Sequence, residues 1–306
     1  MPSLPSPVVV ACCDGTELEY RSIHPSFGVE VRGVDLSTAP SEPVARELNR
    51  ALDTHSLLLF PEQTLEPADE LASLRLFNEI SDNKDYTDEG RGIPGYPQIV
   101  VISNIIDDDG KPVGFTNMAG MEWHTDGSGW KLPPVASSLY AVEVPETGGE
   151  TWFVSGPVAF ESLSPDRRRE LEPMQCTYSY VTLQKWLAEA AGRTDFLTEE
   201  QQAKYPDVVR PLVREHPVTG RKALWFSIEE IIAIDDMSYE ASRELMLELI
   251  DHMTANPHGL YVHKWTPGEL IIWDNRSLMH SVCEYNYEGQ RRLMHQITGK
   301  DLAFSI

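Results

Sequence analysis

The segment MEWHTDGSG carries His124 and Asp126 two positions apart, a spacing that turns both side chains to one side of an extended chain, where they can grip a single ion. Alone the pair is a weak signal: 9 histidines and 48 carboxylates in 306 residues give 9 × 48/306, or about 1.4, chance occurrences of His-x-Asp/Glu. A third ligand must come from elsewhere in the chain. His280, inside WDNRSLMHS and just after the apolar run ELIIWD, is the candidate. Two imidazoles and one carboxylate on one face of a metal leave its other positions open, the arrangement suited to non-haem Fe(II) oxygenases, whereas closed structural zinc sites use four protein ligands. His124, Asp126 and His280 are therefore candidate metal ligands and a candidate catalytic set, against the plainer reading of a surface His-x-Asp pair.

Ligands so distant in sequence need a fold that brings remote strands together. GVEVRGVDLS reads as a strand, and Ser41 with Pro43 opens a helix whose Val44, Leu48, Ala51 and Leu52 share a face. SLLLF, residues 56 to 60, is a buried strand, and Pro67 starts a second helix that directs Leu71, Leu74 and Phe77 at the core. Gly- and Asp-rich loops then enclose the strand QIVVISNI.

Beyond them come the short strands SSLYAVEV, ETWFVS, LYVHKW, ELIIWD and RRLMHQIT and the turn HPVTGRKALWF, with a helix around Glu240 to Met253. Many short strands with Gly/Pro turns predict a mainly β fold, a barrel or double-sheet jelly roll with the early helices packed outside. Without repeats or a linker tract, residues 1–306 read as a single domain. Residues 1–20 are expected to be poorly ordered, and 81–97, 107–122 and 183–206 to form loops over the site.

With 25 basic and 48 acidic residues the chain has a formal charge of −23, which repels phosphate backbones and anionic lipid surfaces. Nucleic acid and membranes are thus poor partners, and a small molecule is the expected one. No signal-peptide core or membrane span is evident. Cys12, Cys13, Cys176 and Cys283 are too few and too irregularly placed for a disulfide framework, so a reducing cytoplasm fits.

From about Phe27 to the C-terminus, the motifs HTD, GGETWF, HPVTGRKALWF, PGELIIWDNRSLMH and RRLMH resemble the taurine dioxygenase/2,4-dichlorophenoxyacetate dioxygenase (TauD/TfdA) family. The resemblance implies a double-stranded β-helix, that is, a cupin-like jelly roll. It also implies Fe(II) on His124, Asp126 and His280, 2-oxoglutarate as cosubstrate, O2, and a homo-oligomer. In the family an Arg on the last core strand holds the far carboxylate of 2-oxoglutarate, and Arg292 matches it; strand alternation separates Arg292, Met294 and Gln296 from Arg291, Leu293 and His295. Thr151 matches the Thr whose hydroxyl assists, against the plainer reading of a β-forming Thr.

Departures from the taurine enzyme bear on the substrate. Gln296 stands where a second Arg binds the sulfonate, Gly120 where an Asn lies, and Asn83 near the pocket His. The pocket is expected to be less charged and more apolar, with Met118, Trp130 and Met294 as lining residues, or else ordinary core. Arg91 and Lys185 could meet a substrate carboxylate or merely be solvated.

The expected reaction is oxidation of an unactivated C–H bond in a small, fairly apolar substrate during natural-product tailoring. Hydroxylation is the default, with desaturation, epoxidation or ring expansion as variants. Catabolism of an aryloxyalkanoate or sulfonate is the rival, and a non-catalytic metal-binding jelly roll is the alternative of another class. His216, His252 and His263 read as hydrogen-bonded structural residues.

Overall fold

The computed structural model describes residues 4–80, 92–114, 122–190, 194, 197–283 and 289–299. One sheet takes the strands in the spatial order Val8–Ala11, Glu17–Ser22, Val29–Arg32, Leu57–Phe60, Leu270–Asp274, Ala136–Glu143, Leu293–Thr298, Tyr96–Ser103 and Gly92–Ile93. Its neighbours pair antiparallel except Val29–Arg32 and Leu57–Phe60, which run parallel. A smaller sheet, ordered Leu260–His263, Thr151–Ser155 and Leu278–Val282, faces it.

The central strands LLLF and LIIWD are buried along their whole length, because both faces of the large sheet are covered. Alternate residues divide between two cores. Leu57, Leu59, Ile271 and Trp273 meet Phe153 and Leu278 of the facing sheet. Leu58, Phe60, Leu270 and Ile272 meet Leu48, Leu71 and Leu74 of the outer helices. Truncating such a side chain to Ala costs about 2–5 kcal/mol.

The helix Glu42–His55 begins where the Ser41 hydroxyl accepts a bond from Val44 N–H, and it ends at Ser56, whose φ of 61° is left-handed. Ser56 O then accepts from Asp274 N–H at 2.9 Å, so the helix stop is tied to the end of the strand that leads to His280.

A third layer covers the small sheet. Val154 and Met279 pack against Phe160, Leu249 and Met253 on the helices Gly156–Ser162 and Tyr239–Ala255. Beside it lie a sheet of Val208–Pro211, Gln175–Tyr178 and Ile231–Ile234, and the hairpin Val213–Glu215/Lys222–Leu224. Two facing sheets clad by helices make the jelly roll that the strand pattern and the resemblance predict.

Several local expectations differ. Residues 8–11 and 17–22, expected to lack order up to residue 20, form paired strands because Leu18 and Tyr20 point alternately into the core. Within 81–97 the strands Gly92–Ile93 and Tyr96–Ser103 begin, and 183–206 contains most of the helix Tyr180–Ala190 and the whole of Glu199–Gln202. Residues 81–91 and 115–121 lie outside the described residues. Among the described residues no helix is long and apolar enough to cross a membrane.

Candidate active site

His280 lies on the strand Leu278–Val282, whose free edge is joined by a single rung. His124 N–H donates to His280 O at 3.1 Å, and His280 N–H donates to His124 O at 2.8 Å. Directly opposed residues project to the same side of a ladder, and the two imidazole centroids stand 4.1 Å apart. Asp126, two residues on, brings Oδ1 to 3.8 Å from His124 Nε2 and 3.9 Å from His280 Nε2. One potential ligand atom from each of the three falls within 4.8 Å of the others.

The protonation pattern suits an ion. His124 Nδ1 lies 2.8 Å from the Glu122 carbonyl, which can only accept, so Nδ1 carries a proton and the neutral ring presents the Nε2 lone pair. Burial, then the neighbouring His124, pushes His280 well below the usual imidazole range, leaving it neutral. Burial pulls His124 down, but the carboxylates of Glu229 and Asp126 outweigh it and raise the imidazole. Burial lifts Asp126, partly offset by His124 and by the Ser137 hydroxyl. A divalent cation relieves the cost of this buried carboxylate and requires neutral imidazoles.

A second cluster provides the comparison that tests this fit. Asp53, His216 and Asp274 have ligand atoms equally close together, yet the Arg276 guanidinium fills their midst. Its Nε lies 2.8 Å from Asp274 Oδ1, and its Nη2 lies 2.9 Å from Asp274 Oδ2 and 2.7 Å from Asp53 Oδ1. That cluster is already occupied by the protein's own cation. Among the described residues no Lys or Arg pairs with Asp126, so the His124 cluster offers a donor set for Fe(II).

The turn that follows Asp126 is clasped from both sides. Gly127 has φ of +66°, and a Cβ there would lie 2.6 Å from Pro134 Cδ, so glycine is required. The buried Glu230 carboxylate accepts from the Ser128 hydroxyl and from Gly129 N–H at 2.5 Å. Opposite, Arg210 donates to the carbonyls of Ser128 at 3.1 Å, Lys131 at 3.2 Å and Trp130. Sequence reasoning missed both residues, since neither a Glu-Glu pair nor an Arg in a short strand betrays burial.

Arg292 is buried just before the strand Leu293–Thr298, its Nε 3.3 Å from where a Cβ on Gly149 would sit. Gly149 is two residues upstream of Thr151. Arg291 points outward and pairs with Glu143 at 2.7 Å. Thr151 Oγ1 accepts from Trp265 Nε1 at 2.9 Å, which directs the hydroxyl proton toward another acceptor. Thr151 and Val282 are opposed in register, two residues along the ladder from the Phe153–His280 pair.

The proposed lining residues scatter. Met294 has 0 % exposure and packs with Phe153 and Trp273 as core, leaving it no surface for a ligand. Gln296 is half-buried opposite Leu139, two residues from Thr298. Trp130 lies in the turn after Asp126, against Gly127. Lys185 is 59 % exposed and 4.0 Å from Glu189, on a solvated helix face. Asn83, Arg91, Met118 and Gly120 lie outside the described residues.

The profile of the taurine catabolism dioxygenase TauD, TfdA family matches residues 19–298. The chain is 30% identical over 285 residues, 91% of its length and 96% of the relative's, to alpha-ketoglutarate-dependent 2,4-dichlorophenoxyacetate dioxygenase of Cupriavidus pinatubonensis (strain JMP 134 / LMG 1197). It is 31% identical over 278 residues, 89% of its length and 91% of the relative's, to pentalenolactone F synthase of Streptomyces arenae. The solved structure of AAD-2 in complex with Mn(II) and N-oxalylglycine superposes with a TM-score of 0.77 at 29% identity, over 93% of this chain and 97% of that one. A match across nearly the whole chain, on a jelly roll that gathers two histidines and an aspartate, shows that the protein belongs to the TauD, TfdA family of Fe(II)- and 2-oxoglutarate-dependent dioxygenases.

Proposed function

We propose that this protein oxidises an unactivated C–H bond of a small, fairly apolar organic substrate in the tailoring of a natural product, with hydroxylation as the default outcome. The observation that carries the reading is the His124–Asp126–His280 donor set, whose ligand atoms lie within 4.8 Å of one another, with no Lys or Arg of the described residues paired to Asp126. When bound there, Fe(II) with 2-oxoglutarate and O2 supplies the oxidising chemistry, and the keto acid leaves as succinate and CO2.

The chain's own residues position and enclose that chemistry. Arg292 is assigned to the far carboxylate of 2-oxoglutarate, which a planar guanidinium can hold by two parallel bonds, and Thr151 gives its hydroxyl proton to the same group. Trp273 and Phe153, with ring centroids 4.8 Å and 6.1 Å from His280, keep water from its inner side. Gln296 offers hydrogen bonds but no positive charge, which favours a neutral substrate over a sulfonate. Trp130, in the turn after Asp126, is assigned to the pocket wall. Likeness to pentalenolactone F synthase supports the tailoring role, and a cytoplasmic setting, where Fe(II) stays reduced, goes with it.

The relative that acts on 2,4-dichlorophenoxyacetate favours a second reading, oxidation of an aryloxyalkanoate. Succinate release, screened against terpenoid lactones and aryloxyalkanoates in parallel, separates the two. Turnover confined to the aryloxy acids overturns the tailoring assignment. Lack of a visible charge-transfer band after anaerobic addition of Fe(II) and 2-oxoglutarate overturns the enzyme reading in favour of a non-catalytic metal-binding module.

A further inference from the structure

We propose that Trp273, Asn275 and Ser137 form a hydrogen-bond relay that holds Asp126 as a one-oxygen ligand, offering Oδ1 to the ion and withholding Oδ2. The inference rests on the reading of His124, Asp126 and His280 as the metal site. It concerns Asn275 and Ser137, to which that reading gives no role, and adds a second task for Trp273.

The relay follows from donor and acceptor chemistry. Trp273 Nε1 lies 3.0 Å from Asn275 Oδ1, and an indole N–H can only donate, so this amide atom must be the oxygen. The same oxygen faces Asp126 N–H at 3.4 Å. The amide orientation is thereby settled, and the NH2 end is the atom 2.9 Å from Ser137 Oγ. An NH2 group only donates, so Ser137 accepts there and must spend its single proton elsewhere. Asp126 Oδ2 is 2.5 Å away, while the competing Thr298 Oγ1 stands at 3.5 Å. The proton therefore goes to Oδ2. Oδ1, the oxygen 3.8 Å and 3.9 Å from the two imidazole nitrogens, remains for the ion.

The frame around the relay is rigid. Asn275 O accepts from Thr125 Oγ1 at 2.9 Å and from Trp225 Nε1 at 2.8 Å, and Asn275 N–H donates to Val135 O at 2.8 Å. Trp273, Asn275 and Ser137 are all buried, so water cannot replace a missing partner cheaply. One-oxygen binding matters because a carboxylate that swung to offer both oxygens would compete for the ion with the cosubstrate that His124, Asp126 and His280 would leave room for. Ser137 and Asn275 are thus positioning residues.

The test uses Co(II) alone as the probe of metal-free protein, with affinity read from its visible ligand-field band. Ser137→Ala is expected to weaken Co(II) about tenfold or more and to change the band shape as Oδ2 enters the coordination. It should also weaken 2-oxoglutarate binding to the Co(II)-loaded protein. Ser137→Thr, which keeps the hydroxyl, should stay within about threefold of wild type. Asn275→Asp preserves side-chain shape while removing the donor to Ser137, so it should reproduce the loss and serves if Ser137→Ala does not fold. A purely structural role would lower the melting temperature and leave affinity and band unchanged. Folded Ser137→Ala with wild-type affinity and band overturns the relay alone, whereas wild-type protein that binds no Co(II) overturns the metal reading and the relay with it.

Discussion

His216 Nε2 lies 2.8 Å from Asp274 Oδ2, a pair spanning 58 residues with side-chain exposures of 1% and 0%. Arg276 clamps the other side of the carboxylate and reaches on to Asp53, so three separate segments are locked at the turn that carries Asn275. Burial pushes Asp274 up, but the His216 bond and the Arg276 charge outweigh it and hold the carboxyl below its ordinary range. A depressed folded value means that its stabilising effect is present above the unfolded carboxylate pKa, and is lost as pH falls through the folded one. Asp274→Ala, which strands a buried guanidinium, should cost about 3–5 kcal/mol in denaturant unfolding at neutral pH. A loss below about 1 kcal/mol would contradict the account.

His280→Ala should abolish succinate release with any substrate that wild type turns over, and should remove Fe(II) binding while leaving the far-ultraviolet circular dichroism intact. The imidazole is one of the three proposed ligands, whereas the rung to His124 is made by the backbone. Residual turnover above a few per cent of wild type would require another ligand set.

Arg292→Ala should raise the KM for 2-oxoglutarate by about 10- to 100-fold, the worth of a charge-assisted bidentate contact. Arg291→Ala should leave it unchanged, because Arg291 is 63% exposed and paired with Glu143 on the surface. Initial-rate kinetics of both variants checks this, and the reverse pattern would exchange their roles.

Glu230 predicts a pH effect on stability. Its carboxyl is pushed up to about 7 by burial, only partly offset by the bonds from Ser128 and Gly129. The folded protein therefore holds this proton more tightly than the unfolded chain. The associated stability is complete below the ordinary value of 4.5 and is lost as pH rises through about 7. That lift corresponds to roughly 3 kcal/mol. Unfolding free energies between about pH 5 and pH 8 should decline for wild type and decline less for Glu230→Gln, which stays neutral throughout. Parallel profiles would refute the assignment.

Much of this was visible in the residues because local chemistry dictated it. Ser41 and Pro43 mark the first helix start, and the alternation of RRLMHQIT already separates Arg291 from Arg292. The strand bearing His280 was harder: Leu278–Val282 is short and follows the turn after ELIIWD closely, so the residues alone gave no separate element there. The helix Tyr180–Ala190 was likewise hidden by the polar stretch after it. Asn275 and Ser137 acquire meaning only through long-range pairing. Their signals were faint: an Asn directly after a buried strand, and the two serines opening SSLYAVEV, where an apolar strand has no need of hydroxyls.

The mutual amide bonds of His124 and His280 have one more consequence. Since each residue grips the other through the main chain, the spacing of neighbouring strands sets how far apart the proposed metal site holds the two imidazole-bearing Cα atoms. Ion release and opening of the rung are then coupled motions, and loading the metal should slow hydrogen exchange at those two amides more than anywhere else along the edge.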